Sequence, residues 1–292
     1  MTNRTIPIGS ILWNVLIYSG LALAALLMVY PFWELFITSI SPAEEASKVG
    51  LKLFPRGFTL EAYRITLDSS LLWQAYLNTI FRTVVGTGLS VVLYFCTAYP
   101  LAKKFLPARN TLTMFYLIPM FFSGGLIPSF LLVQSLGLYD TIWALIVPSL
   151  FSTFHILVMR NFLMALPESL EESAMVDGAG FFTILFRIVI PLSMPILATS
   201  ALWVGVDHWN SWFDAMIYTR SNDHIVLQLI LRRVFIEKDN MGITDSLQGD
   251  EGIITKSMEA ATVLVAIGPI ILTYPFLQKY FVKGTLMGSL KG

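Results

Sequence analysis

The chain has 292 residues, of which 55% are hydrophobic and 13% charged, about half the charged share that a soluble domain needs to wet its surface. Its 19 basic and 19 acidic residues cancel, which excludes a basic nucleic-acid footprint. The single cysteine, Cys96, excludes an internal disulfide and a CxxC metal site, and the 3 histidines, His155, His208 and His224, are too scattered for a zinc signature.

A hydrocarbon core of roughly 30 Å takes about 20 mainly apolar residues per helix. Residues 11–40, 77–101, 112–133, 142–164, 184–209 and 260–280 each meet that length. The expected fold is therefore all-α: a polytopic membrane protein of six spans, forming one transmembrane domain over 1–292. In the first span Ala22-Leu23-Ala24 resembles a leader cleavage site, but the apolar run continues through Val29 and Phe36, so a retained helix is expected. The polar stretches 41–76 and 214–258 fall on one side as outer loops. The short segments opposite carry Lys103, Lys104, Arg109, Arg160, Lys279, Lys283 and Lys291, which favours cytoplasmic termini. Prolines punctuate the spans at Pro31, Pro100, Pro119, Pro128, Pro148, Pro195 and Pro269. Each frees a carbonyl that a neighbouring helix or water must satisfy.

Polar residues within spans are functional candidates, because lipid exposure is costly for them. Asn78 and Arg82 share one face of span two, where Arg82 either lines a pathway or pairs structurally. His155 in span four reads better as a hydrogen-bonded structural histidine. Near the outer end of span five, Trp203, Asp207, His208, Trp209, Asn210 and Trp212 combine aromatic faces with polar edges. Such a set suits a sugar, whose C–H faces stack on rings while its hydroxyls bond to polar neighbours. An interfacial aromatic belt would account for the tryptophans alone.

The loop 165–191, between spans four and five, stands apart. Pro167 opens a short helix whose first turn carries Glu168, Glu171 and Glu172, favoured by the positive end of the helix dipole. Gly178 should follow it with φ > 0. Glu168, Glu171, Glu172 and Met175 share one side by i, i+3, i+4, i+7 spacing, and no basic residue of their own loop answers the glutamates. Water offsets their repulsion, or a cationic partner protein completes the face.

Glu172-Ser-Ala174, Gly178 and, further on, Ile188-Val-Ile190-Pro191 resemble the cytoplasmic EAA loop of ABC-importer permeases, and Glu172 to Ala179 with Phe186 and Pro195 resembles the sugar-importer branch, which includes the alginate and maltose permeases. Ser123-Gly-Gly-Leu-Ile-Pro128, Leu136-Gly-Leu138 and His208-Trp-Asn-Ser-Trp-Phe213 extend the likeness over most of the chain. Ser173 and Ile190 are conservative departures from the pattern. The resemblance implies a permease subunit in a bacterial inner membrane, whose EAA loop is a coupling helix seated in a groove of a cytoplasmic ATPase. It also implies a second permease chain, alike or homologous, two ATPase subunits that bind ATP and magnesium, and an extracytoplasmic sugar-binding protein. By position, Glu168, Glu171, Glu172, Ala174, Asp177, Gly178, Ala179 and Pro191 would carry the coupling. No cofactor, metal or catalytic residue is expected in this chain, which lacks the G-x-x-x-x-G-K-[ST] of a P-loop and the G-x-S-x-G of a nucleophile elbow.

Two other classes fit the sequence less well. An ion-coupled secondary transporter would show paired repeats and charges in mid-membrane, both weak here. An intramembrane enzyme would need a catalytic pair within the spans, and none is evident. Arg232-Arg233 in the outer loop suits either an acidic sugar polymer such as alginate or a contact with the binding protein, and the sequence leaves both open.

Overall fold

The computed structural model describes residues 8–236, 255–269 and 271. All regular elements among them are helical, and they divide into two compact units, 8–69 with 255–267 and 70–236 with 268, 269 and 271.

In the first unit α1, Ile8–Ser39, is apolar all round, with Trp13, Leu16, Leu23, Leu27 and Met28 exposed. That pattern belongs to a helix whose solvent is lipid. Its end is tied down by polar contacts. Ser39 Oγ donates to the Phe36 carbonyl and lies 2.9 Å from the Tyr63 hydroxyl, and the Thr59 amide donates to Ile40 at 2.9 Å. Two short helices follow, α2 at Ala43–Ser47 and α3 at Glu61–Asp68.

The second unit is organised around α4, Ser70–Ala102, which at about 1.5 Å per residue is some 50 Å long and extends beyond a bilayer core. It starts seven residues before the expected span, so the outer loop expected at 41–76 ends in helix. After it come α5 (Arg109–Phe121), α6 (Leu126–Ser135), two 3-10 turns (Ile142–Leu145 and Val147–Ser149) and α7 (Thr153–Met164). Then follow α8 (Glu168–Val176), α9 (Phe181–Ile184), α10 (Ile190–Leu192), α11 (Met194–Asn210), α12 (Phe213–Tyr218) and α13 (Leu227–Ile236).

Spans three, four and five, which prolines punctuate, are each bent. Arg109–Phe121 meets Leu126–Ser135 at 112°, Ile142–Ser149 meets Thr153–Met164 at 49°, and Phe181–Leu192 meets Met194–Asn210 at 69°. The causes are local. Ser123-Gly-Gly125 breaks the third. The fifth breaks at Ser193, just before Pro195, which has no N–H to continue the ladder; ahead of Pro191 the same span also widens into a π-turn over Leu185–Val189. Leu136-Gly137-Leu138 ends α6 in a Schellman motif: Gly137, at φ 69°, donates to Gln134 and Leu138 to Val133. Two helices alone, Trp13–Ser39 and Ser70–Ala102, are long and apolar enough to cross a membrane among the described residues, or five if each bent pair is one span. The sixth expected span is described only over 260–269 and at 271; the remainder of it, and 237–254 of the outer loop expected at 214–258, lie outside the described residues.

α4 packs along α7 and α11. Tyr94, Phe95, Ala98 and Tyr99 of α4 form one buried core with Ile156, Met159 and Leu163 of α7 and Ile196 and Val204 of α11. Lipid tails are as apolar as these side chains, so the contact rests on close fit rather than on a hydrophobic gain. Gly86 shows the fit at its tightest, since a Cβ there would lie 2.7 Å from Cε1 of His208 on α11.

Candidate functional site

Two polar assemblies stand at opposite ends of α4, with Arg82 and Ala102 about 30 Å apart along the axis.

The first is α8, nine residues long, beginning after Pro167. Its C-terminus is a second Schellman motif. Gly178, at φ 80°, donates to the Met175 carbonyl at 3.0 Å, and Ala179 donates to Ala174 at 2.9 Å. Ala174 and Ala179 pack inward against the core. Two of the three glutamates are answered from the end of α4, outside their own loop. Glu171 pairs with Lys103 and accepts from the Tyr99 hydroxyl at 3.3 Å, while Lys103 also lies 4.7 Å from the Tyr99 ring centroid. Glu168 meets Lys104 at 3.0 Å, but both side chains are well exposed, so that contact contributes little. The outward face that remains is mixed rather than purely acidic: Glu172 and Asp177 stand beside Met175 and Val176, the last 88% exposed. Pro191 sits at the start of α10, just after the π-turn.

Gly178 meets no heavy atom within 4 Å of a built Cβ, so its requirement is conformational. Gly178→Val should cost roughly 1–3 kcal/mol of local backbone strain and lower uptake with membrane abundance retained. Asn, which tolerates the left-handed region, should leave uptake near the parental rate. Loss of uptake with Asn as well would point to a steric demand instead.

The second assembly surrounds Arg82, which is 1% exposed. Its Nε donates to His208 Nδ1 at 3.3 Å, Nη1 donates to the Ser211 carbonyl at 3.2 Å, and the guanidinium forms a two-point ion pair with Asp214. Asp214 also accepts from Ser211 Oγ at 3.0 Å and from the Ala215 amide at 2.9 Å. One turn earlier on α4, Asn78 donates to the Asp223 and Ile225 carbonyls at 2.7 and 2.9 Å, and Thr79 Oγ1 accepts from the Leu227 amide at 2.9 Å. Asn78 and Arg82 thus hold residues 211–227 against α4. A third clasp adds Asp140, whose Oδ1 accepts from the Arg220 and Ser221 amides at 2.8 and 2.9 Å. These amides, Ser221 first, hold its carboxyl below the usual carboxylate range.

The remaining candidates divide. His155 Nδ1 lies 2.9 Å from Ser152 Oγ, and the ring stacks on Tyr94 at 5.3 Å between centroids. Trp203 lies 5.8 Å from that imidazole and 6.2 Å from Phe154, so α4, α7 and α11 together build a half-exposed aromatic cluster. Asp207 is exposed one turn beyond Trp203 on α11. Asn210 bonds back to the Val206 carbonyl at 3.0 Å, and Trp209 is buried with its indole N–H lacking an acceptor among the described residues. Trp212 stacks under Arg232, with Cζ 3.6 Å from the ring centroid.

Comparison with known proteins agrees with this architecture. Residues 98–286 match the family model described as binding-protein-dependent transport system inner membrane component. The chain is 37% identical to the polygalacturonan/rhamnogalacturonan transport system permease protein YtcP of Bacillus subtilis (strain 168), covering 96% of this chain and 99% of that one. It is 38% identical to protein LplC of the same organism over 96% of this chain and 94% of that one. Its backbone superposes on a chain from the crystal structure of a bacterial ABC transporter involved in the import of the acidic polysaccharide alginate, with a TM-score of 0.88 at 30% identity, covering 96% of this chain and all of that one. Since sequence and backbone match over nearly the whole length, the chain belongs to the family of binding-protein-dependent transport system inner membrane components.

Proposed function

We propose that this chain is the permease subunit through which a bacterial ABC importer takes up an oligo- or polysaccharide rich in uronic acid. A homologous permease chain completes the pathway, an extracytoplasmic binding protein delivers the sugar, and two cytoplasmic ATPase subunits, which bind ATP and magnesium, dock at α8. The observation that carries the reading is α8 itself. It is a short exposed helix, joined to the long helix α4 through Lys103 and Glu171, that turns Met175 and Val176 outward beside Glu172. An apolar pair rimmed by charge is the surface expected of a protein interface. With an ATPase docked there, α8 lies in the cytoplasm and the Arg82 assembly, about 30 Å away along α4, at the outer end; cytoplasmic termini are part of the same proposal, supported by the basic residues of the short loops. The acidic nature of the sugar is supported by the names of the relatives, which include a polygalacturonan permease and an alginate importer.

The test is uptake by the assembled complex in proteoliposomes with its binding protein. A galacturonate trimer should stimulate ATP hydrolysis and enter, and a neutral maltotriose should do neither. Preferential entry of the neutral sugar would remove the acidic-sugar reading, and uptake without any ATPase subunit would remove the permease reading.

A further inference from the structure

We infer that Arg232, stacked on Trp212, is a carboxylate-binding subsite for the acidic sugar at the outer mouth of the pathway; this rests on the function proposed above. A guanidinium over an aromatic face spends its planar surface on the ring and keeps its edge N–H groups for a carboxylate. Arg232 is in that state. Its Cζ lies 3.6 Å from the Trp212 centroid, and no acceptor or carboxylate engages its N–H groups among the described residues.

The platform is also held still. Trp212 lies between Ser211 and Asp214, both bound by the buried Arg82. On the other side, Leu227, Ile230 and Val234 bury the opposite face of α13, leaving Arg232 and Arg233 partly exposed. Fixed donors bind an anion without an ordering cost, and a bidentate arginine–carboxylate pair is among the stronger hydrogen-bonded contacts. Asp214 and Asp140 do not cancel this charge, since Arg82 engages the first and backbone amides the second. A uronate carboxylate, which a polymer of galacturonate or alginate carries on each sugar, fits this site; a neutral hexose offers it nothing ionic.

The experiment compares initial rates of galacturonate-trimer uptake by the complete complex at saturating binding protein. R232Q should lower the rate about tenfold, with unchanged membrane abundance and an unchanged binding-protein concentration for half-maximal ATPase stimulation. R232K, which keeps charge but loses the fork, and Trp212→Leu, which loses the stack, should each fall part of the way. Unaltered uptake by R232Q would overturn the assignment. So would a raised half-maximal binding-protein concentration with the saturating rate intact, which would make Arg232 a contact for the binding protein. If the parental complex carries no galacturonate at all, the acidic-sugar reading fails and takes this subsite with it; if the parent and R232Q carry it equally, only the subsite falls.

Discussion

Replacing Arg82 with Ala should be the most damaging single change in the second unit. The substitution leaves Asp214 facing a cavity with its cation gone and deprives His208 and the Ser211 carbonyl of their donor. Breaking a buried pair by removing one partner costs about 3–5 kcal/mol. Asp214 keeps some solvent contact, its side chain being 22% exposed, so the lower end of that range applies. The expected result is loss of assembled complex, read as membrane abundance and as a lowered thermal midpoint in detergent. Arg82→Lys cannot satisfy both carboxylate oxygens together with His208 and Ser211, and should recover only part. Asp214→Asn should be milder, because the amide oxygen still accepts from the guanidinium. Wild-type abundance and stability for Arg82→Ala would show that residues 211–227 are held in place by something else.

The second large effect is expected at the other end of α4, and it should fall on transport rather than on folding. Lys103→Glu would set two carboxylates face to face, where Lys103 and Glu171 now pair with Tyr99 alongside. Glu171→Lys would do the same with two cations. Each should leave the spans inserted but reduce uptake tenfold or more, because α8, the docking helix proposed above, would no longer be fixed to α4. The exchanged pair, Lys103→Glu with Glu171→Lys, should restore a good part of the rate, since coupling energies between residues in contact are about 0.5–3 kcal/mol. A double variant as poor as the worse single one would mean that the two positions act independently.

The sequence made the helical class legible because lipid imposes a simple length rule, and it made α8 legible because Pro167, the glutamates and Gly178 are local signals. The left-handed φ of Gly178 was readable for the same reason. What it could not supply was partnership across distance. The lysines that answer Glu168 and Glu171 lie at the end of α4, some 65 residues earlier, so glutamates that look unanswered in their own loop are paired once folded. Arg82 and Asp214 are 132 apart in sequence, and only the fold reveals that Arg82 and Asn78 anchor the outer segment. The bends in spans three and five were signalled by Ser123-Gly-Gly125 and by Pro191 and Pro195, but a window of apolar residues averages over such breaks. His155 and Trp203, on different spans, meet only because α7 and α11 both pack on α4.

The claim that matters most is that α8 is the joint to an ATPase. Val176 is the most exposed apolar side chain of that helix, at 88%, and lies beside Met175 on its outer face. Val176→Cys, placed in a Cys96→Ser background so that it is the only thiol in the chain, should be cross-linked by a short bifunctional thiol reagent to an ATPase subunit carrying cysteines in its membrane-facing groove. The cross-link should appear in the assembled complex, change in yield between the nucleotide-free and ATP-bound states, and be absent when the cysteine is placed at Trp13 on α1. A complex that imports sugar normally but yields no such cross-link in either state would contradict the account.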